Sequence, residues 1–580
     1  MKALFLHCNS IYFRAVKKAI DEAEEISKDI KEKGQKVENA LAIFLAIEKK
    51  DSDEAIKKLL QEAARIFEQV KAERVVIYPY VHLTNQPASP SHAFELLLAI
   101  EKEFKENFET YRAPFGWYKE FKLDVKGHPL AELSREIIVE GEEKYNIKQL
   151  LKQISKVKFD TRKLSQNDHR ILASKMDLFS FNEVAPGMVF WHPNGLLIKE
   201  LLLVWHRQIH KEAGYYEVFT PQILDKKLWL ISGHWEKYKE NIFLTKYGNR
   251  EFAVKPMNCP GSILLYKQKP RSYKDLPLRI AEYGLVHRQE LSGVLSGLFR
   301  LIQFTQDDAH IYCREDQIED EIYGVIALVD YFYKHFGFPY RVVVSTRPEK
   351  RIGSDALWDK AENALMNVLK KKGIKFGIAK GEGAFYGPKI DVLIKDSLAR
   401  EWQLATIQLD FSMPERFNLV YLDENGKEKR PVMIHRVVYG SIERFIGILL
   451  EHTNGNLPFW LSPIQCRIVP VSEKYNTEAM EMAEDLNKNE KVRCDVDDRS
   501  ISVSKKIREA EIQRVPYIIT LGEKELKQQI LTVRIKKQDK SEVLEMKPHE
   551  LRDLFKKEQA DMPWLPLNKP YELSKRVKLE

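Results

Sequence analysis

Cysteine is scarce: five in 580 residues, at Cys8, Cys259, Cys313, Cys466 and Cys494. Their number is odd, they lie far apart and no CxxC pair occurs, which argues against a disulfide framework and for a reducing compartment. Long apolar runs are also missing. None approaches the roughly 18 residues needed to cross a bilayer, so no membrane partner is expected. The opening MKALFLHCNS is too short an apolar run for a signal peptide and passes into charged sequence, so it reads as a first strand and the expected location is cytoplasmic. There is no internal repeat and no low-complexity tract.

What is present is the composition of a soluble globular protein, 44% hydrophobic and 31% charged, long enough for three or four domains. Net charge is +8, a mildly basic balance that is compatible with a polyanionic partner without establishing one. Residues 1–140 alternate strand-like runs (KALFLHC, NALAIFLAIE, RVVIYPYVHL) with an amphipathic helical pattern, SDEAIKKLLQEAARIFEQV, so a first α/β domain is expected there. A polar stretch over 141–180 reads as a helical linker. Residues 181–460 are rich in aromatic residues and glycine, and short strand candidates (FAVKPM, LIQFTQ, KIDVLIKD, EWQLATIQLDF, RPVMIHR) predict a mostly antiparallel α+β domain. Over 461–580 strands and helices alternate again, the rhythm of a small α/β domain.

Cys259 lies in KPMNCPGS, where Pro260 and Gly261 predict a turn that presents the thiol. Downstream come His310 in FTQDDAHIY and His435 in PVMIHRVVYG. The spacings are too long for a zinc finger. In an arbitrary chain three such residues are usually unrelated. If they converge, one Cys and two His give zinc three protein ligands and leave a position open, the pattern of a working zinc rather than a structural one.

KPMNCPGS, PLRIAEYGLVHRQE, FTQDDAHIY, GEGAFYGPKID, WQLATIQLDF and MIHRVVYGSIERFIGIL resemble, in order, the catalytic core of the threonyl-tRNA synthetases, a family of class II aminoacyl-tRNA synthetases. The likeness extends over most of 205–565. It implies that Cys259, His310 and His435 bind Zn²⁺, one ion per subunit, and that the open position takes the amine and β-hydroxyl of L-threonine, a chelate that valine cannot form. Asp308, two residues before His310 on one strand face, would bond that hydroxyl. Arg288 of HRQE would bridge the ATP α-phosphate and the threonine carboxylate, Glu290 would read adenine, Arg300 would hold the γ-phosphate and Arg444 of SIERF would stack on adenine. Mg²⁺ would accompany ATP. Lys389, Gln403, Tyr386, Gln408, Gln306 and Ser441 would complete the substrate contacts. His234 would act as proton acceptor when threonine passes to the terminal ribose, and Pro221 would lie at a homodimer interface.

Serine also carries an amine and a β-hydroxyl, and one missing methyl group is worth only about 1–3 kcal/mol of discrimination. A second, hydrolytic site is therefore expected. Residues 1–140 resemble the editing domain of archaeal threonyl-tRNA synthetases, itself similar to D-aminoacyl-tRNA deacylases, with VVIYPYVHLT and RAPFGWYKEFKLDVKGHPLAELSRE carrying the likeness. His82, Tyr118, Lys119 and Glu132 match its pocket, with mischarged seryl-tRNA(Thr) as the implied substrate. Residues 461–580 resemble an anticodon-binding domain, in which Arg514, Glu525 and Arg534 would touch tRNA(Thr) bases. Two positions depart from the family pattern: Ser262 replaces a common histidine and Ser500 a common asparagine. The metal trio argues against a prolyl- or seryl-type enzyme, the arginine set against a catalytically dead RNA-binding relative, and the catalytic core against a free-standing deacylase.

Overall fold

The computed structural model describes residues 1–137, 164–290, 292–396, 399–537, 540–577 and 579. It divides into two compact units, Met1–Ile147 and Lys148–Glu580. Most of the expected linker, 141–163, falls outside the described residues. Its end is helical, at α3 below.

In the first unit the order is β1 (Lys2–Lys18), β2 (Gln35–Ala46), α1 (Asp53–Val70), β3 (Arg74–Pro79), α2 (Pro90–Lys105), β4 (Thr110–Arg112), β5 (Trp117–Val125) and β6 (Glu132–Glu136). The sheet runs β4-β3-β2-β1-β5, with β6 also pairing β1. Parallel β2/β3 and β3/β4 pairs need crossovers, and α1 and α2 supply them. The helices bury Ile56, Leu59, Ile66, Leu97 and Ile100 against Phe5, Ile43 and Val75 on one sheet face. The other face carries Cys8, Phe13, Phe44 and Tyr78. Both faces of β2 are thereby covered, which is why NALAIFLA reads as a continuous apolar run rather than an alternation.

The second unit opens on α3 (His169–Met176) and α4 (Pro193–Glu212), then β7 (Tyr216–Glu217), α5 (Cys259–Lys267), β8 (Leu278–His287), β9 (Gln303–Cys313), α6 (Ile318–His335), β10 (Tyr340–Ser345), α7 (Asp355–Lys371), β11 (Phe376–Ala379), β12 (Lys389–Lys395), β13 (Glu401–Asp410), β14 (Val432–Val437) and α8 (Ile442–His452). The eight-stranded sheet has the order β11-β10-β12-β13-β14-β9-β8-β7. Its six inner strands pair antiparallel, and only the two edges are parallel. β15 (Cys466–Pro470), α9 (Asn476–Lys488), β16 (Cys494–Val496), α10 (Val503–Ile512), β17 (Tyr517–Leu521), β18 (Leu531–Lys537), β19 (Lys540–Met546) and α11 (Pro548–Gln559) form a further sheet, β16-β15-β17-β18-β19. The multidomain α/β and α+β fold class expected from sequence is the one observed.

One buried charge cluster ties the segment before Pro221 to the sheet. Glu282 on β8 accepts from the Thr220 backbone N–H at 2.9 Å and from Lys255 Nζ at 2.6 Å, and both side chains of this ion pair are almost wholly buried. Breaking such a pair leaves a charge in a medium that cannot solvate it. Lys255→Met is expected to cost about 3–5 kcal/mol in urea unfolding, and the double replacement Lys255→Met with Glu282→Met to recover most of it.

Candidate active site and metal centre

Antiparallel register assembles the site. Lys389 pairs with Gln408, Gln408 with His435 and His435 with His310, a row across four adjacent strands β12, β13, β14 and β9. Register partners point to the same face. Cys259 reaches this row from the side. It was expected in a turn, but it is the first residue of α5, with Pro260 at the helix start where a missing N–H costs nothing. Gly261 is required by packing rather than by turning, because a Cβ there would lie 2.8 Å from Thr220 Oγ1.

One ligand atom each from Cys259, His310 and His435 lie within 4.8 Å of one another, near enough for small side-chain adjustments to bring all three to bond lengths of about 2.0–2.3 Å from one ion. The residues fit zinc in three further ways. His310 Nε2 is buried without a hydrogen-bond partner. His435 Nε2 lies 2.9 Å from Asp410 Oδ2, the carboxylate–imidazole support usual behind a metal ligand, which leaves Nδ1 of that ring for another partner. Burial and the neighbouring Asp308 and Asp410 carboxylates push the Cys259 thiol well above its ordinary pKa, so a cation is what would hold it as thiolate.

Asp308 Oδ1 lies 3.7 Å from His310 Nε2, and Asn258 Nδ2 donates to Oδ2 at 3.1 Å. Burial raises the Asp308 pKa to about 6. Gly284 makes room for Asn258, since a Cβ there would sit 2.1 Å from Asn258 Oδ1. His234 Nε2 is 4.0 Å from Cys259 Sγ and 2.9 Å from Met257 Sδ, with Nδ1 2.8 Å from Ser232 Oγ. It is fully buried, and desolvation followed by His435 and Arg288 lowers its pKa to about 3. This environment favours the neutral form of the imidazole.

A cleft of about 800 Å³ opens over the row. All the residues predicted to touch metal, amino acid or nucleotide line it, whereas His234 lies behind its wall. Lys389 Nζ lies 3.0 Å from Asp391 Oδ2, Gln403 donates to Asp391 Oδ1, and Gln408 Nε2 donates to the Gly387 carbonyl at 2.9 Å. The Tyr386 ring is 5.2 Å from that of His435. At the other end Gln306 bridges Ser441, whose Oγ caps α8 by accepting from Arg444 N at 3.3 Å. Arg288 donates to the Pro256 carbonyl at 3.2 Å and lies over Phe304 at 5.2 Å. Arg300 pairs with Glu290 at 2.9 Å. Arg444 donates to the Phe299 carbonyl at 2.9 Å, and burial together with Arg288 and Arg300 holds its pKa below the ordinary arginine value. Three guanidinium groups thus meet in one cleft, an arrangement suited to a polyanion.

Sequence reasoning missed Asp307, Asn258 and Phe304. Asp307 is buried on the opposite face of β9 from Asp308, and its carboxylate accepts from Val438 N at 2.7 Å, Tyr439 N at 3.0 Å and Gly440 N at 2.9 Å, fixing the turn into α8. Burial pushes its pKa up to about 7 despite Arg436 and those N–H groups. The doubled aspartate in QDDAH was the available signal. Ser262 is buried and lies 2.9 Å from the Tyr312 hydroxyl, so the departure from histidine is accommodated by a small polar contact.

In the first unit Lys119 Nζ sits 5.0 Å over the Tyr78 ring, Tyr78 is 6.3 Å from Tyr80, and Tyr80 is 5.3 Å from His82, which places Lys119 and His82 along one aromatic face. Glu132 pairs with Leu6, and Leu6 with Ala42, so Glu132 points to that same face. Tyr118 does not: strand alternation turns it to the other side of β5, where it is 64% exposed. Burial lowers the Lys119 pKa to about 8, and two of its N–H groups go to the Pro114 and Trp117 carbonyls at 2.9 and 3.1 Å. In the last domain Arg514 and Arg534 share a basic cleft of about 490 Å³ with Lys175, Arg508, Lys536 and Lys540. Glu525 is elsewhere engaged, accepting from Gly522 N at 3.0 Å and Thr532 Oγ1 at 2.8 Å in a helix-capping arrangement. Ser500 hydrogen-bonds Glu473.

Three family models match: the Archaea-specific editing domain of threonyl-tRNA synthetase over 1–137, the tRNA synthetase class II core domain (G, H, P, S and T) over 243–453, and an anticodon binding domain over 465–558. The threonine–tRNA ligase of Caldanaerobacter subterraneus subsp. tengcongensis is 51% identical over 372 residues, 64% of this chain and 58% of that protein, so the chain spans somewhat over half the length of this relative. That of Thermotoga petrophila is 43% identical over 515 residues, 87% of this chain and 77% of the relative. The chain belongs to the threonyl-tRNA synthetase family. Among solved structures of this family, the one titled as the RNA binding domain of threonyl-tRNA synthetase from Cryptosporidium parvum Iowa II has a TM-score of 0.65 at 39% identity, covering 68% of this chain and 99% of that one. The threonyl-tRNA synthetase editing domain matched here is the archaeal type, joined to the class II core in one chain.

Metal analysis of the purified protein is expected to find zinc at the Cys259–His310–His435 centre. Cys259→Ala should lower retained zinc at least tenfold under a competing chelator, as loss of a thiolate ligand predicts.

Proposed function

We propose that the protein activates L-threonine with ATP to threonyl-adenylate, transfers it to tRNA(Thr), and hydrolyses seryl-tRNA(Thr) in its N-terminal domain. The observation that carries this reading is the convergence of Cys259, His310 and His435 with Arg288 and Arg444 in one cleft. Zn²⁺ held by the first three would supply Lewis-acid recognition of the amino acid's amine and β-hydroxyl. Asp308, kept in place by Asn258, accepts from that hydroxyl, and Tyr386, Gln408 and Lys389 close the surrounding wall. Arg288 draws the threonine carboxylate and the α-phosphate together, neutralising both anions so that they can meet. Arg444 stacks on adenine, and Gln306, Gln403 and Ser441 orient the substrates. Glu290 and Arg300 pair with each other in this structure, so their proposed roles toward adenine and the γ-phosphate require that pair to be exchanged for ATP, with Mg²⁺ arriving as part of that substrate. His234 is proposed to serve transfer as a neutral hydrogen-bonding group.

The proposed domain limits are 1–140 for editing, 141–180 for the linker, 181–460 for catalysis and 461–580 for anticodon binding. In the editing domain Lys119 retains one N–H to orient the ester, His82 and Glu132 share its face, and Tyr118 is proposed to contact RNA from the other side. Arg514 and Arg534 are proposed to read anticodon bases. Glu525 supports that surface through its helix cap. Tyr216, Phe219 and Ile223 are exposed around Pro221, which supports a homodimer through this face. Among the described residues no helix is long and apolar enough to cross a membrane. The free, buried cysteines fit a reducing cytoplasm.

ATP–pyrophosphate exchange tests the reading. Threonine and serine should support exchange, valine should not, and chelation should abolish it. Zinc-loaded protein without exchange would overturn the proposal in favour of an RNA-binding relative. Asp308→Ala is expected to reduce threonine-dependent exchange by about 10²-fold or more, because the hydroxyl then loses its charged acceptor. Lys119 is charged only below its lowered pKa of about 8. Seryl-tRNA deacylation, corrected for spontaneous hydrolysis, should therefore fall as pH rises through about 8, and Lys119→Arg should remove that inflection.

A further inference from the structure

A second cluster of potential metal ligands, Asp168, His169 and Glu451, lies outside the residues discussed above. Its members are engaged in hydrogen bonds within the protein. Both Asp168 oxygens accept from Arg170, at 2.9 and 2.8 Å. Glu451 Oε1 accepts from His169 Nδ1 at 2.7 Å and from its backbone N–H at 3.1 Å, and Oε2 accepts from Arg400.

His169 itself is wholly buried and makes two directional bonds. Nδ1 donates to Glu451 at the end of α8, and Nε2 accepts from the Leu298 backbone N–H at 3.0 Å. The ring also packs 4.3 Å from Phe299. Gly297 lies in the left-handed region at φ +49°, and a Cβ there would be 2.2 Å from His169 Nε2. Leu298, Phe299 and Arg300 line the cleft, and the Phe299 carbonyl is the acceptor for Arg444. The imidazole therefore joins three parts of the chain: the first turn of α3, the loop that carries Arg300, and the helix that carries Arg444.

We propose that His169 is a positioning residue for the nucleotide side of the cleft, holding the 297–300 loop at the height that Arg300 and Arg444 need. It touches no substrate itself. The inference rests on the proposed ATP-dependent activation. Its two arms can be separated by substitution. In His169→Asn the side-chain amide keeps the position of Nδ1 and the Glu451 bond but loses Leu298. In His169→Gln the side-chain oxygen keeps the position of Nε2 and the Leu298 bond but loses Glu451.

The experiment uses the full chain, with KM for ATP and for threonine from pyrophosphate exchange and with hydrogen exchange of the peptide over 296–301. His169→Asn is expected to raise KM for ATP about five- to tenfold, the loss of one buried hydrogen bond, with KM for threonine unchanged and the 296–301 amides exchanging faster. His169→Gln should stay near the parent protein in both. Gly297→Ala, whose Cβ would press on His169 Nε2 and so displace the loop from the other side of the same contact, should match His169→Asn. Equal effects of Asn and Gln, or an unchanged KM for ATP with unchanged amide exchange, would overturn the inference alone. Absence of threonine-dependent exchange in the parent protein would instead overturn the reading of the site, and this inference with it.

Discussion

The register of four antiparallel strands is the constraint on which the site depends. Lys389, Gln408, His435 and His310 come from distant stretches of chain, yet pairing sets them side by side on one face. Strand pairing has a period of two, so a slip of one residue in any of these strands would send its member of the row to the opposite face. The substitutes that the chain uses to guard this arrangement are steric. Gly284 admits Asn258 beside Asp308, and Gly387 lies so close to the Leu409 carbonyl that a Cβ there would be 2.1 Å from the oxygen.

Charge then distinguishes the two ends of the cleft. At the end formed by Cys259, His310 and His435, acidic and neutral donors are buried together, and Asp308 and Cys259 are both shifted toward their protonated forms. At the other end Arg288, Arg300 and Arg444 gather, with Glu290 as a local counter-charge. Each end is electrostatically incomplete in the opposite sense. Such preorganisation strengthens interaction with ligands of complementary charge because little reorganisation is left to occur when they arrive. The buried carboxylate of Asp307 differs: three backbone N–H groups satisfy it, and it is part of the framework.

Much of this was legible in the sequence because strands of this sheet are short apolar runs with polar residues at functional positions. FTQDDAH and MIHR read directly as strands, and the two-residue step from Asp308 to His310 predicts their common face. The structure departs where tertiary contacts decide. KPMNCPGS carries proline and glycine, and both suggest a turn, but Pro260 suits a helix start and Gly261 answers to Thr220. Tyr118 and Lys119 are adjacent in sequence and therefore cannot share a strand face. Glu525 looks available in GEKEL, yet it completes a helix cap. Partner choice by Glu290 and Arg300, or by His169, depends on positions that no local pattern encodes.

The row also has a consequence for the order of events during synthesis. Its members lie at 310, 389, 408 and 435, with Cys259 earlier still. The strand that carries His435 is inserted between those that carry His310 and Gln408. A chain growing from its N-terminus therefore has every member of the site but His435 before the central strand exists, and its sheet cannot close until β14 has emerged. Long-range pairing of this kind is slow. Convergence of Cys259, His310 and His435 thus marks completion of this sheet, while the first unit, whose contacts close within Met1–Ile147, has all of its own residues long before that.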